Sequence, residues 1–329
     1  MGKRRELASR FLANTDWAGV SLVPLAGDAS ARRYFRLTKG GESAVLMDAP
    51  PIDGQDIGPF LDVGEFLTRQ GLCAPCVFAA NQSAGFILLE DLGDAVFAKV
   101  VKTDPDKELM LYEAATDVLI SLDQGPTPSF LPHFNASIMA QQVAPFFEWY
   151  LHDAGPMDDF QAMLEATLLS IDPNFNSILL RDFHAENLIW LPDRSGLCRV
   201  GLLDFQDAMI GPPGYDLVSL LQDARRDVSA PVVAAMIKRF ARGTGRDAEQ
   251  FNQAFAVIGA QRNLRILGVF ARLAQLHGKP RYLEYVPRVW RHVQTCLAHP
   301  SLAGLTQVLD GKLPEPGPDC LRDLAKSCA

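Results

Sequence analysis

The sequence predicts an α+β protein in which a small β-rich N-terminal lobe, residues 1–92, precedes a larger, mainly helical lobe, residues 93–329. Short apolar runs separated by Gly-containing turns dominate the first lobe, as in antiparallel hairpins. After Asp91-Leu-Gly93, apolar residues instead recur at helical spacing over long stretches. A chain of 329 residues is long enough for each lobe to bury a core of its own.

Two hairpins and one helix account for most of the first lobe. The runs 34–38 and 44–47 flank the turn Lys39-Gly-Gly41, which favours a tight hairpin. A helix is predicted over about 59–70, with Gly71 at its end. The apolar runs 77–80 and 86–90 form a second predicted hairpin.

Helical periodicity begins with apolar residues of one face between Leu109 and Leu122. A short β island over 179–204 interrupts the helical pattern. Further helices are predicted at about 137–151, 157–171, 213–226, 230–242, 247–277 and 280–298. The second lobe is therefore helical apart from that island.

Composition excludes several classes of protein. The net charge of −8 and the isoelectric point near 5.3 disfavour nucleic-acid binding, which requires clustered Lys and Arg. No apolar run reaches the roughly 18–20 residues of a membrane-spanning helix, and no secretory signal is evident. We expect a cytoplasmic protein whose partner is a small molecule.

The β island carries the chemistry. Arg181-Asp-Phe-His-Ala-Glu-Asn187 precedes one short apolar strand, and Leu203-Asp-Phe-Gln206 follows a second, with a Gly-containing turn between them. A hairpin of these strands would bring Asn187 and Asp204 to neighbouring-strand distance, about 5 Å between backbones. The alternative makes Asp182 and Asn187 ordinary turn residues and Asp204 a helix cap.

Phosphoryl transfer from ATP requires this set of side chains. Asn187 and Asp204 would supply the carbonyl and carboxylate oxygens that Mg²⁺ prefers. Asp182 would orient the attacking hydroxyl and accept its proton. The spacing of Asp182 and Asn187, followed by Asp204-Phe205, is the part of the protein-kinase signature that carries the chemistry.

The chain resembles the aminoglycoside-phosphotransferase and choline-kinase superfamily, with its bilobal protein-kinase-like fold, over about residues 20–300. Within that group it is most similar to bacterial N-acetylmuramate/N-acetylglucosamine anomeric kinases of cell-wall recycling. The segments that carry this resemblance are 27–36, 47–51, 88–93 and 261–268.

The resemblance implies a nucleotide site in the first lobe. Adenine would contact backbone groups of Glu90, Asp91 and Leu92. The loop over the phosphates would contain Gly27, Asp28, Ala29 and Ser30, whose small side chains let amide groups approach oxygen.

One position departs from the kinase pattern. The third strand ends in Met47, where a phosphate-pairing Lys is expected. Arg32 and Arg33 are the candidates to replace that cation; the alternative places both on a solvated strand edge. The missing Lys also keeps open a catalytically inactive, nucleotide-binding homologue.

Five polar residues are candidates for contacts with the acceptor: Glu148, His184, Gln206, Asp207 and Arg262. Arg262 lies in an apolar helix, where an inward-facing Arg needs a buried partner or a ligand. A lactyl carboxylate would suit it, and pairing with Asp216 or Asp223 is the alternative. His184 could instead brace the catalytic loop, as could Asp216.

We therefore expect an ATP- and Mg²⁺-dependent kinase that phosphorylates the anomeric hydroxyl of N-acetylmuramate or N-acetylglucosamine. The remaining alternatives are an aminoglycoside- or choline-type O-phosphotransferase and the inactive homologue.

Overall fold

The computed structural model describes residues 2–25, 32–51 and 56–326. Backbone contacts divide the chain into two compact units. The first unit comprises Met1–Pro105 and Glu186–Asp207, and the second comprises Asp106–Ala185 and Ala208–Ala329. The segment with Asn187 and Asp204 thus groups with the N-terminal residues, and Asp182 with the helical ones.

The first unit contains a five-stranded antiparallel sheet of order β1-β2-β3-β5-β4. Its strands are β1 Val23–Pro24, β2 Arg33–Lys39, β3 Glu42–Asp48, β4 Val77–Asn81 and β5 Phe86–Glu90. Both predicted hairpins are confirmed. Gly40 and Gly41 turn the first with φ of 60° and 89°, which matches a two-residue turn that needs positive φ at both positions.

Three helices and a small hairpin complete the first unit. The helices are α1 Gly2–Leu12, α2 Gly58–Arg69 and α3 Phe97–Thr103, and the hairpin strands are β7 Leu188–Trp190 and β8 Val200–Leu202. Helix α1 was not predicted. Its Ala8 and Leu12 join one apolar core with Leu37 and Phe86 of the sheet.

The second unit is mainly helical. Its α-helices are α4 Glu108–Gln124, α5 Ala136–Gln141, α6 Met157–Ile171, α7 Tyr215–Leu221, α8 Ala230–Thr244, α9 Ala248–Gln275, α10 Val286–Leu297, α11 Ala303–Val308 and α12 Pro318–Leu324. Strands β6 Ser177–Leu179 and β9 Met209–Gly211 form an antiparallel pair. The α+β class is confirmed. In the described part of the chain, no helix is both long and apolar enough to cross a membrane.

One predicted helix is interrupted. Over 137–151 the structure has the short helix α5 followed by a π-helix, Phe146–Leu151, so the prediction of one continuous helix is wrong. The π-helix packs closely on α9: a Cβ built on Gly268 would lie 2.2 Å from the Phe146 backbone N. Glycine is required there because backbone approaches backbone.

Candidate functional site

The hairpin of β7 and β8 places Asn187 beside the residue that precedes Asp204. Leu188 pairs with Leu202, and Leu203 N donates to Asn187 O at 3.0 Å. The antiparallel register therefore continues past both strand ends. The predicted hairpin is present, and a 3₁₀ turn over Gly196–Arg199 directly precedes its second strand.

The hairpin is fixed to the segment expected to hold adenine. Leu92, Cys73 and Ile189 form one buried apolar cluster. Leu202 N also donates to Cys73 O at 2.8 Å. Gly201 allows this packing, since its Cβ would lie 2.8 Å from Leu92 Cδ1. The candidate metal ligands and the Glu90–Leu92 segment thus belong to one packed body.

Asp204 presents its carboxylate from an unusual backbone conformation. Its φ is +58°, in the left-handed region that Asp tolerates better than most residues. The next residue, Phe205, is fully buried and stacks on Phe60 at 4.8 Å, whereas the Asp204 side chain is 46% exposed. Gln206 Nε2 donates to Asp204 Oδ1 at 3.0 Å and to Asp207 Oδ2 at 3.2 Å. An anchored aromatic ring therefore holds a solvent-accessible, hydrogen-bonded carboxylate in place.

The two candidate phosphate-binding arginines have different partners. Arg32 Nη1 lies 4.0 Å from Asp204 Oδ1. Arg33 Nη2 instead lies 2.7 Å from Oδ2 of Asp48, a buried acid that also pairs with Arg4. Of the two arginines, Arg32 is thus the one beside the candidate metal ligand.

The side chains of the expected adenine segment take part in ion pairs. Glu90 pairs with Arg194, and Asp91 Oδ2 lies 2.7 Å from Arg36 Nε. These pairs fix the segment without using the backbone of Leu92. The loop residues Gly27, Asp28, Ala29 and Ser30 lie outside the described residues, as does residue 31.

In the second unit, Asp182 follows a loop held by a buried carboxylate. Leu180 N and Arg181 N both donate to Asp216, the second at 2.9 Å. Burial raises the pKa of Asp216 to about 7, and these two N–H groups oppose that rise. Asp216 therefore holds the backbone immediately before Asp182, and the N-cap of α7 is Gly214.

Arg181 is the second site residue with a left-handed backbone, at φ +68°. Among described non-glycine residues, positive φ occurs at Arg181, Asp204 and His152. Arg is strained in this region, at a cost of roughly 1–3 kcal/mol, so surrounding contacts must hold it. Ser219 Oγ donates to Arg181 O at 3.4 Å, and the guanidinium lies over the Phe134 ring at 5.4 Å.

Two arginines act on His184, in the loop after Asp182. Arg225 Nη1 lies 3.3 Å from His184 Nε2. Burial, together with the charges of Arg225 and Arg262, lowers the pKa of His184 to about 3. A neutral imidazole whose Nε2 accepts from Arg225 fits both observations. Sequence reasoning missed Arg225, although the charged run 223–227 directly after a short apolar helix was a signal for it.

Arg262 is 8% exposed on α9, and its Nη2 donates to Ser219 Oγ at 2.7 Å. Its hydrogen bond thus goes to a hydroxyl, whereas the sequence had suggested Asp216 or Asp223 as partners. Ser219 links Arg262 to the backbone of Arg181, next to Asp182.

The remaining acceptor candidates are distributed over both units. Gln206 and Asp207 lie with Asp204 in the first unit, and His184 and Arg262 lie with Asp182 in the second. Glu148 is exposed on the π-helix of the second unit. Their roles toward an acceptor remain predictions.

Comparison with known proteins identifies a family and relatives that are similar over most of the chain. The model of the Phosphotransferase enzyme family matches residues 21–251. An N-acetylmuramate/N-acetylglucosamine kinase of Caulobacter vibrioides is 35% identical over 357 aligned residues, covering 95% of this chain and 98% of the relative. A protein of the same name from Pseudomonas aeruginosa is 33% identical over 303 residues, covering 88% of this chain and 87% of the relative.

A solved structure is similar over nearly the whole chain. A choline/ethanolamine kinase family protein from Mesorhizobium loti superposes with a TM-score of 0.62 at 15% identity, covering 93% of this chain and 99% of that one. At this identity the likeness concerns the fold alone, and the expected protein-kinase-like fold is confirmed. The family match and the two relatives establish that the chain belongs to the phosphotransferase enzyme family and is a kinase.

Proposed function

We propose that this kinase transfers the γ-phosphoryl group of Mg²⁺-bound ATP to the anomeric hydroxyl of N-acetylmuramate or N-acetylglucosamine. The observation that carries the transfer chemistry is the hairpin register, in which Leu203 N bonds to Asn187 O and sets Asn187 beside Asp204. The relatives named for these two sugars support the choice of acceptor. Kinases of this family use ATP and a divalent metal in general.

Asn187 and Asp204 suit a hard divalent cation. They offer a carboxamide oxygen and a carboxylate oxygen, and the carboxylate is about half exposed. When bound, Mg²⁺ would neutralise charge on the phosphate oxygens. Gln206 orients the Asp204 carboxylate by donating to Oδ1, and the left-handed backbone of Asp204 fixes its direction.

Arg32 is assigned as the cation that replaces the strand-three Lys. Its guanidinium lies 4.0 Å from Asp204 Oδ1, so a phosphate group bound beside this carboxylate's metal would be within its reach. Backbone groups of Glu90, Asp91 and Leu92 would hold adenine, and the loop with Gly27, Asp28, Ala29 and Ser30 would cover the phosphates. Arg33 is occupied by Asp48 and acts on the fold of the sheet.

Asp182 is assigned as the base that orients the acceptor hydroxyl and takes its proton. The loose transition state of phosphoryl transfer demands little base strength, so accurate placement matters most. Asp216 and Ser219 supply this placement, because they hold the backbone of Leu180 and Arg181 immediately before the base.

The charges around Asp182 favour a neutral or acidic sugar over a cationic acceptor. Within the second unit, the charges of Arg225 and Arg262 act on His184 of this loop, and Arg265 of α9 is affected by Arg181 and Arg262. Aminoglycosides and choline are cations and would be repelled by this cluster. We assign polar contacts with the sugar to Glu148, His184, Gln206 and Asp207.

The five described free thiols and the need for ATP lead us to place the reaction in the cytoplasm.

A coupled assay of ADP release tests this function over amino sugars, aminoglycosides and choline, each with Mg²⁺ and ATP. We expect rapid release with N-acetylmuramate and N-acetylglucosamine and a background rate with the cationic acceptors. Faster turnover of an aminoglycoside would replace the proposal. Absence of turnover with every acceptor would favour a nucleotide-binding homologue without transfer activity.

A further inference from the structure

Arg262 is buried with part of its hydrogen-bonding capacity unused. It lies in the buried face of α9 and is 8% exposed. Nη2 donates to Ser219 Oγ at 2.7 Å, whereas Nη1 has no hydrogen-bond partner within the described ranges 2–25, 32–51 and 56–326. An unpaired N–H of a buried cation is unfavourable unless a ligand satisfies it.

The neighbours of Arg262 increase this unfavourable energy. The pKa of Arg265 is lowered by burial, and the charges of Arg181 and Arg262 lower it further. Burial lowers the pKa of His184, and the charges of Arg225 and Arg262 lower it further. Four guanidinium groups thus influence one region of the second unit.

The nearby acids do not compensate fully for the four positive charges. Burial raises the pKa of both Asp216 and Asp223, which favours their neutral forms. Asp216 already accepts from two backbone N–H groups, and Asp223 accepts from Arg225 N at 2.9 Å. Even with both ionised, these two acids and Asp182 supply three negative charges against the four positive charges of the arginines. The region retains positive charge that an anionic ligand would neutralise.

We propose that Arg262 and Arg225 bind a carboxylate of the acceptor. This carboxylate is the one on the lactyl ether, the group that distinguishes N-acetylmuramate from N-acetylglucosamine. The inference rests on the proposed function and adds a determinant of specificity to it. Ser219 fixes one nitrogen of Arg262 and leaves Nη1 for the ligand. His184 Nε2 lies 3.3 Å from Arg225 Nη1 and helps to hold that side chain. N-acetylglucosamine carries a hydroxyl in place of the lactyl ether and forms no ion pair there.

A purely structural role for Arg262 gives a different expectation. Through Ser219, Arg262 also contacts the backbone that precedes Asp182. If it acted only by positioning this loop, its loss would slow both sugars to the same extent. The same holds if its charge stabilised the transferred phosphoryl group. The ratio of kcat/KM for the two sugars therefore separates carboxylate binding from both of these roles.

The experiment compares the wild type with Arg262→Gln, Arg225→Gln and Ser219→Ala on both sugars. We expect Arg262→Gln to lower kcat/KM for N-acetylmuramate about 100-fold, mainly through KM, and that for N-acetylglucosamine less than about threefold. Arg225→Gln should change the ratio in the same direction by about tenfold. Ser219→Ala should slow both sugars through the backbone of Arg181, and N-acetylmuramate by a further factor, because Ser219 also fixes Arg262.

A substrate change tests the same contact without altering the protein. The methyl ester of N-acetylmuramate keeps the shape of the lactyl ether but removes its charge. In the wild type, its kcat/KM should fall to the level of N-acetylglucosamine, and Arg262→Gln should no longer distinguish acid from ester. Equal loss of both sugars in Arg262→Gln, or full activity of the wild type on the ester, would overturn the inference. Failure of the wild type to use either sugar would contradict the proposed function itself.

Discussion

The arginines of the two units serve different purposes around the candidate site. In the first unit, Arg33 pairs with Asp48, Arg36 with Asp91, and Arg194 with Glu90. In the second unit, the Arg262 side chain bonds to a hydroxyl and leaves Nη1 without a partner among the described residues. Paired arginines fix the sheet and the adenine segment. Nη1 of Arg262 is where we propose that a ligand supplies the missing negative charge.

The paired arginines stabilise the fold, whereas Arg262 is proposed to bind a ligand. An ion pair between partly exposed groups contributes roughly 0–1 kcal/mol to stability, so the pairs of the first unit mainly set direction. A buried guanidinium without a full set of hydrogen-bond acceptors lowers the stability of the fold, so a role in ligand binding would explain its presence. The comparison predicts that equivalent Arg substitutions will act on stability in one place and on catalysis or specificity in the other.

The largest effect should come from the two acidic residues that divide the chemistry between the units. Asp182→Asn should lower kcat by about 1,000-fold or more, because the base is lost while the metal ligands remain. Asp204→Ala should lower turnover as strongly and also weaken binding of MgATP at least about tenfold. Turnover assays and calorimetric titration of MgATP measure both. Weakened nucleotide binding in Asp182→Asn would break this division of roles.

A second test concerns the packing that supports Arg262. In Gly268→Ala the new Cβ would meet the backbone of Phe146 and Pro145 at 2.2 Å. We expect a loss of about 2–4 kcal/mol in the free energy of unfolding, because helix α9 must shift. Gly317→Ala is the matched control: its Cβ has no neighbour within 4 Å and its φ is −73°. Urea denaturation of both variants checks this, and equal stability would contradict the tight α9 contact.

The pH dependence of stability tests the acid that braces the catalytic loop. Burial raises the pKa of Asp216 from 3.8 to about 7. Between these values the unfolded chain is ionised at this carboxyl and the folded chain keeps the proton. Its contribution to stability therefore falls as pH rises through this window, by up to about 1.4 kcal/mol per pH unit.

Asp216→Asn removes this titration. Denaturation of the variant and the wild type from pH 4 to pH 8 should give a difference in unfolding free energy that changes up to pH 7 and is then constant. A difference independent of pH over the whole range would show that Asp216 is already ionised at pH 4 in the folded chain. It would then be a full negative charge beside the arginines.

The smallest effect distinguishes two adjacent residues of the first unit. Arg32→Met should lower kcat/KM about tenfold, since its guanidinium lies beside Asp204. Arg33→Met should leave kcat/KM within about twofold and lower stability by roughly 0.5 kcal/mol, since Arg33 is partly exposed and Arg4 still pairs with Asp48. Steady-state kinetics in ATP and thermal denaturation give both values. The reverse pattern would assign the phosphate-binding cation to Arg33.

Local features of the sequence were predictable. Lys39-Gly-Gly41 indicated a hairpin because both glycines need positive φ, and the structure has φ of 60° and 89° at Gly40 and Gly41. The positions of Asn187 and Asp204 at the two outer ends of an apolar hairpin indicated their proximity, because the ends of paired strands lie side by side. In both cases the turn lies within the segment that it organises.

Features that depend on distant residues were not predictable. Helix α1 is basic and weakly amphipathic in isolation, and it is fixed by Arg4, which bonds to Asp48 and to Ala84 O at 2.9 Å. The π-helix depends on Gly268, more than 100 residues later in the chain. The contact of Arg225 with His184 likewise joins segments that no local pattern connects.

The most direct test of the central claim is phosphorus NMR of the product formed from MgATP and N-acetylmuramate. The expected product is a sugar 1-phosphate, identified by coupling of the phosphorus nucleus to the anomeric proton, and Asp182→Asn should not form it. A phosphate on any other hydroxyl, or unchanged formation of product by Asp182→Asn, would contradict the account.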